Sequence, residues 1–194
     1  ARAFGCVPVD ENGRVEAFME KMEVPVATTI NAGCYVFHPR VINQIPQGRA
    51  VSIERDIFPA LVRDGKIVLG MIDDSYWIDV GTPGRLLQAS IDVVSGVANS
   101  DALDWATVSF RSSEFIAMEG VTMAADAVVI GGSSIGRGSI LAPRVMVEGS
   151  IVCAGAQILE GASIKGCFVA AGAIVAAGVD YSNKYIGVDG IQDL

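Results

Sequence analysis

Four short stretches of the chain carry side chains suited to holding a small polar ligand. Phe18-Met19-Glu20-Lys21 sets a carboxylate beside an ammonium group. Asn31-Ala32-Gly33-Cys34-Tyr35 offers a primary amide close to a glycine. Ser52-Ile53-Glu54-Arg55-Asp56-Ile57-Phe58-Pro59 places Glu54 near the start of an expected helix. Tyr76-Trp77-Ile78-Asp79-Val80-Gly81-Thr82-Pro83 puts Asp79 just ahead of a Gly-Thr-Pro turn. A lysine ammonium is a compact cation that suits an anion. Carboxylates and amides give directed hydrogen bonds. Each stretch also has an ordinary local reading. A Glu-Lys pair ends many solvated strand edges, and Asn-x-Gly is a common turn. An acid near a helix start complements the dipole. Chemistry follows only if the fold brings the stretches together.

The elements expected to do this are mixed α and β over residues 1–98. Residues 4–9 and 14–19 flank the turn Asp10-Glu11-Asn12-Gly13 and read as a hairpin. Residues 32–37 and 66–71 read as apolar strands. A short helix is expected over 39–45, with Pro39 at its first position. Ile53, Ile57 and Leu61 recur at helical spacing over 52–63, and Pro59 predicts a break or a late start. Thr82 reads as the cap of a further helix, with Pro83 first and Leu87, Ile91 and Val94 along one face. Residues 99–116 contain polar clusters such as Asn99-Ser100-Asp101 and read as a linker or an irregular first coil.

From Ala117 the sequence repeats in sixes. The leading positions are Ala117, Met123, Val129, Ile135, Leu141 and Val147, then Val152, Ile158 and Ile164, then Val169 and Val175. All are apolar, and two five-residue steps interrupt the period. A small or apolar residue follows four places after each leader, as at Ala127, Ser133, Ser139, Ile151, Ala156 and Phe168. A period of six fits three rungs around a triangular prism, with the leaders inside and the small residues at the corners. The fold class is therefore α/β followed by an all-β left-handed parallel β-helix over 117–180, with 181–194 as a tail.

Composition narrows the function. The chain has 194 residues and a net charge of −8, whereas a nucleic-acid binder carries a basic face. No signal peptide and no run of about 18 apolar residues is present, so no membrane span is expected. Cys6, Cys34, Cys153 and Cys167 form no C-x-x-C pair and read as buried, reduced thiols of a cytoplasmic protein. The single histidine, His38, lies far from the repeats. That argues against a Cys/His zinc site, and against an acyltransferase or γ-type carbonic anhydrase on the same coils. The first residues, Ala1-Arg2-Ala3-Phe4, already read as strand, so the chain is expected to begin inside a fold.

Taken in order, the four stretches resemble the sugar-1-phosphate nucleotidyltransferase family. The resemblance rests on Ser-Ile-Glu-x-x-x-Phe-Pro at 52–59 and Trp-x-Asp-x-Gly-Thr-Pro at 77–83. It covers residues 4–98 and continues into the hexapeptide domain that many members carry. The pattern is most like the mannose-1-phosphate guanylyltransferase branch. The resemblance implies nucleotidyl transfer from a nucleoside triphosphate, GTP, to a sugar 1-phosphate, mannose 1-phosphate, with release of pyrophosphate. The sugar-phosphate oxygen attacks the α-phosphorus, so no protein nucleophile is needed, and alignment and charge neutralisation carry the catalysis.

On that resemblance Lys21 would meet the sugar's phosphate, and Glu20, Asn31 and Glu54 its hydroxyls. Gly5 and Gly33 would let backbone approach the ring. Asp79 would be one of two carboxylates holding Mg²⁺, for which hard oxygen is the right donor. The chain departs from the family in one large respect. It has no G-G-x-G-T-R triphosphate loop and no second metal carboxylate, and Gly131-Gly132-Ser133 simply follows the repeats. The chain is therefore expected to supply the sugar side and an oligomerisation domain, to form a homo-oligomer, and to be inactive without an N-terminal half. Two alternatives stay open: a glucose-1-phosphate thymidylyl- or uridylyltransferase, and a non-catalytic regulatory relative.

Overall fold

The computed structural model describes residues 4–19, 23–24, 26–101 and 107–194. The chain forms two compact units, residues 1–75 and 76–194.

In the first unit, the hairpin turns where the sequence places it. Asp10 Oδ1 accepts from the N–H groups of Asn12 and Arg14, both at 2.8 Å. Gly13 supplies the left-handed residue, with φ of 75°. Bridges then join Val9 to Val15 and Cys6 to Met19. The run at 66–71 meets this hairpin through one bridge, Arg14 to Leu69. Among the described residues, 32–37 join no β-ladder. Their side chains still alternate as in a strand, with Tyr35 and Phe37 half-buried and Val36 fully exposed. Without a neighbouring ladder, alternation does not make a sheet.

The helices of this unit are short. Helix α1 (Pro39–Ile42) starts at its proline. The segment around Pro59 divides in two. A π-helical turn (Ile53–Ile57) precedes α2 (Phe58–Arg63), which holds Pro59 in its first turn. A proline donates no N–H and is tolerated only there, so the wider turn takes up the strain ahead of it.

The second unit opens with α3 (Pro83–Ser95), capped by the Thr82 hydroxyl and ended by Gly96 in the left-handed region. A parallel β-solenoid of hexapeptide repeats follows, consistent with the left-handed β-helix read from the sequence. One face contains β1 (Val108–Arg111), β2 (Phe115–Met118), β5 (Ser133–Ile135), β8 (Ile151–Val152), β11 (Phe168–Val169), β14 (Lys184–Ile186) and β15 (Ile191–Asp193). A second face contains β3 (Thr122–Met123), β6 (Ile140–Leu141), β9 (Gln157–Ile158) and β12 (Ile174–Val175). The third contains β4 (Val128–Ile130), β7 (Met146–Glu148), β10 (Ser163–Lys165) and β13 (Asp180–Ser182). Strands β1 and β15 run antiparallel to their neighbours and close the first face at both ends, which blunts its edges. Strands therefore lie on both sides of the 117–180 span: β1 and the start of β2 give 99–116 its first-coil character rather than that of a linker, and β14 and β15 fill the residues read as a tail.

The leaders point inward and are buried, except Met123, which is 41% exposed. It belongs to β3, the edge strand of its face, so only one neighbouring strand covers it. Each fully buried Ile, Val or Leu contributes about 1.5–3 kcal/mol. The corner rule holds for Ser133, Ser139, Val145, Ala156, Ala162 and Ala173, all buried. It fails after the five-residue steps. There the buried corner residues are Ser150 and Cys167, three places after Val147 and Ile164. Ile151 and Phe168 instead open strands β8 and β11, half-buried. A shortened rung brings its corner forward by one residue.

Helix α3 packs against β2 and β5. Ser90 Oγ lies 3.2 Å from Ser134 Oγ. A Cβ on Gly132 would come within 2.8 Å of Ile91 Cγ2, so this glycine is what lets the helix sit on the coil.

Candidate functional site

In the first unit, three residues singled out from the sequence line one pocket. Gly5, Asn31 and Glu54 share it with Phe4, Cys6, Val7, Phe18 and Met19. The hairpin supplies Gly5 and Phe18, the following loop Asn31, and the π-helical turn Glu54.

Each polar group is held by local chemistry. Asn31 Oδ1 accepts from the Gly33 N–H at 3.1 Å, a turn that needs the left-handed φ of 80° at Gly33. The Asn31 amide donates to the Tyr35 hydroxyl and to Glu54 Oε1. Glu54 is set by a capped turn: Ser52 Oγ accepts from the Arg55 N–H, and Asp56 Oδ2 accepts from the Ser52 N–H at 2.8 Å. That reciprocal cap satisfies donors a helix start would leave bare. Gly5 is buried with φ of 72°, so its backbone forms part of the wall.

Behind these groups lies an aromatic cluster that the motifs did not reveal. Phe18 stacks on Phe58 with centroids 4.4 Å apart, Tyr35 meets Phe58 edge-on at 4.9 Å, and Phe37 stacks on it at 5.6 Å. Phe58 is the buried centre. Phe18, Tyr35 and Phe58 belong to the stretches themselves and Phe37 follows two residues on, so the rings were in view and only their mutual contacts were not. The pocket thus pairs an apolar side, from Phe4, Val7, Phe18 and Met19, with an amide and a carboxylate. Such a surface fits a sugar ring, whose C–H groups and hydroxyls need both.

Glu20 and Lys21 lie outside the described residues. Asp79 belongs to the second unit, with an exposed side chain. A Cβ added at Gly81 would sit in contact with its carboxylate, 3.4 Å from Oδ2, so glycine keeps that side open to a cation. Among the described residues, no three His, Cys, Asp or Glu side chains converge as a metal site. The hard oxygen of Asp79 fits Mg²⁺, as one ligand of a larger set. Upstream, Tyr76 donates its hydroxyl to Asp92 Oδ2, and that bond pushes the phenol's pKa above its usual value. No helix of the described residues is long and apolar enough to cross a membrane.

Comparison with known proteins bears on this arrangement. Residues 1–96 match the family profile described as Nucleotidyl transferase. The chain is 48% identical over 143 residues to a mannose-1-phosphate guanylyltransferase of Mycobacterium tuberculosis, covering 73% of this chain and 38% of the relative. It is 37% identical over 95 residues to a UTP–glucose-1-phosphate uridylyltransferase of Synechocystis, covering 48% and 24%. It is 40% identical over 78 residues to a mannose-1-phosphate guanylyltransferase catalytic subunit beta of Dictyostelium discoideum, covering 40% and 21%. The matched stretches thus span well under half of these relatives' lengths.

Proposed function

Residues 1–96 of this chain belong to the nucleotidyl transferase family, and from that premise we propose that it forms the sugar-phosphate side of a mannose-1-phosphate guanylyltransferase. The observation that carries the reading is the convergence of Gly5, Asn31 and Glu54 on one pocket, together with 48% identity to a protein of that name. In this reading the Asn31 amide and the Glu54 carboxylate fix the sugar's hydroxyls, and Phe18 and Met19 cover its apolar face. Lys21 neutralises the phosphate. Asp79 contributes a carboxylate oxygen to Mg²⁺. When bound, that ion neutralises charge on the phosphates of the reacting pair. The triphosphate would be cradled by a Gly-rich loop that this sequence does not contain, so these 194 residues alone would make no nucleotide sugar.

The solenoid would serve self-association, since Val128 and Ile140 stand exposed on its faces. The four free thiols accord with a cytoplasmic setting. The 37% identity to a uridylyltransferase makes glucose 1-phosphate the competing sugar.

Calorimetric titration of the chain with mannose 1-phosphate and glucose 1-phosphate tests the sugar side directly. Preference for the mannose ester, weakened by Asn31→Ala, is the expected result. Absence of binding to any sugar 1-phosphate would overturn the reading. Assay with GTP and Mg²⁺, before and after adding a family nucleotide-binding segment, tests the rest. Robust pyrophosphate release by the chain alone would show that the nucleotide site had been misplaced.

A further inference from the structure

Asp79 stands inside a span, residues 76–82, that is tied to α3 at both ends. At one end the Thr82 hydroxyl caps the helix, 3.3 Å from the Arg85 N–H. At the other, Tyr76 donates its hydroxyl to Oδ2 of Asp92, farther along the same helix. Gln88 Nε2 donates to Asp92 Oδ1 at 2.8 Å, so both oxygens of that carboxylate are engaged. The spacing of four residues between Gln88 and Asp92 puts their side chains on one helical face. A short loop closed at both ends samples fewer conformations than one tied at a single end. The Asp79 carboxylate is exposed and has Gly81 beside it, so no bulky neighbour confines it on that side.

We propose that Asp92, set by Gln88, is a positioning residue for Asp79: by holding Tyr76 to α3, it holds in place the loop backbone that carries the Asp79 carboxylate. The inference rests on the reading of Asp79 as a Mg²⁺ ligand. Its purpose is preorganisation. A metal-binding carboxylate on a loose loop must be ordered at the moment of binding, whereas one on a stapled loop is ordered beforehand.

The test uses this chain with two readouts. Backbone ¹⁵N order parameters at 77–81 report the staple. Broadening of the Val80 and Gly81 amide signals by Mn²⁺, used in place of Mg²⁺, reports metal at Asp79. Tyr76→Phe and Asp92→Ala each remove the tie and should lower the order parameters at 77–81 from about 0.85 toward about 0.6. Asp92→Asn keeps an acceptor for Tyr76, and Gln88 can turn its amide to match, so they should stay near wild type. Order parameters across 117–175 should be unchanged in all three. Mn²⁺ broadening should weaken in the first two variants and vanish in Asp79→Asn. Unchanged order parameters at 77–81 in both Tyr76→Phe and Asp92→Ala would overturn the inference, as would lower values throughout the solenoid. If Asp79→Asn leaves the broadening intact, the metal reading falls instead, and the inference falls with it even if the staple is seen.

Discussion

The backbone N–H of Ser150 donates to the hydroxyl of Ser133, 3.1 Å away on the preceding coil. The contact is one step of a ladder. Ser133 Oγ donates to the Ile130 carbonyl at 2.7 Å, and Ser150 Oγ to that of Glu148 at 2.8 Å. Ser150 Oγ in turn accepts from the Cys167 N–H at 3.0 Å. All three side chains are buried. Ser150→Ala would leave the Cys167 N–H without its acceptor and should destabilise the solenoid by about 1–3 kcal/mol. Ser150→Cys should cost less, because a thiol already fills the same corner one coil on. Denaturant unfolding followed by circular dichroism checks the order Ala worse than Cys.

The leaders should differ sharply in what they contribute. Ile158 is fully buried, whereas Met123 is exposed on an edge strand. Ile158→Ala should lose about 2–5 kcal/mol, and Met123→Ala less than about 1 kcal/mol. Equal losses in thermal unfolding would contradict the assigned coil register.

Asn31 links Tyr35 and Glu54 through one amide. Asn31→Ala should weaken sugar 1-phosphate binding about tenfold, by losing its own contact and freeing Glu54. Tyr35→Phe should lower it less, since the ring still packs on Phe58. Titration with mannose 1-phosphate separates the two.

The four thiols should divide by burial. Cys34 is exposed, and Cys6 and Cys167 are buried. A thiol reagent should modify Cys34 at once and the buried pair only on unfolding. Burial pushes the Cys167 thiol's pKa up. A raised folded value means its contribution is complete below the ordinary thiol range and lost as pH rises through the folded value. Unfolding scans between neutral pH and about pH 10 should show that decline, and Cys167→Ala should remove part of it.

Lys184 pairs with Asp193 across the closing hairpin of the first face. The bond to Lys184 lowers the Asp193 pKa. The contribution is then present above the ordinary value of about 3.9 and lost as pH falls through the lower folded value. Protection of the β15 amides, with the intrinsic pH dependence of exchange divided out, should fall below about pH 4, ahead of the central coils. Asp193→Asn should remove that fall.

The solenoid was the most legible part of the sequence, because one apolar residue in six is a constraint that every coil repeats. The period alone did not show that shortening a rung moves its corner, so Ser150 and Cys167 were passed over for Ile151 and Phe168. The turn at Asp10–Gly13 in the first unit and the cap at Thr82 in the second were readable because their chemistry is local. The run at 32–37 was misread as a strand because a strand depends on a partner, and apolar alternation does not name one. Asn31 and Glu54 were marked through their motifs, but the cluster around Phe58 depends on contacts between distant segments. Glu20 and Lys21 lie outside the described residues and await direct measurement.

The shortened rungs all follow strands of one face, β7 and β10 among them, so the later coils pair at offsets of 17 residues, as Ile151 does with Phe168, whereas the first coil pairs at 18, as Val128 does with Met146. This gives the polypeptide a phase, much as codons give one to a message. Losing a single residue elsewhere would turn every later side chain inside out until the phase was restored. Gaining or losing a whole coil would leave inward and outward residues as they were. Natural length variation in such a molecule should therefore come in quanta of one coil, with Ser133, Ser150 and Cys167 kept above the same edge.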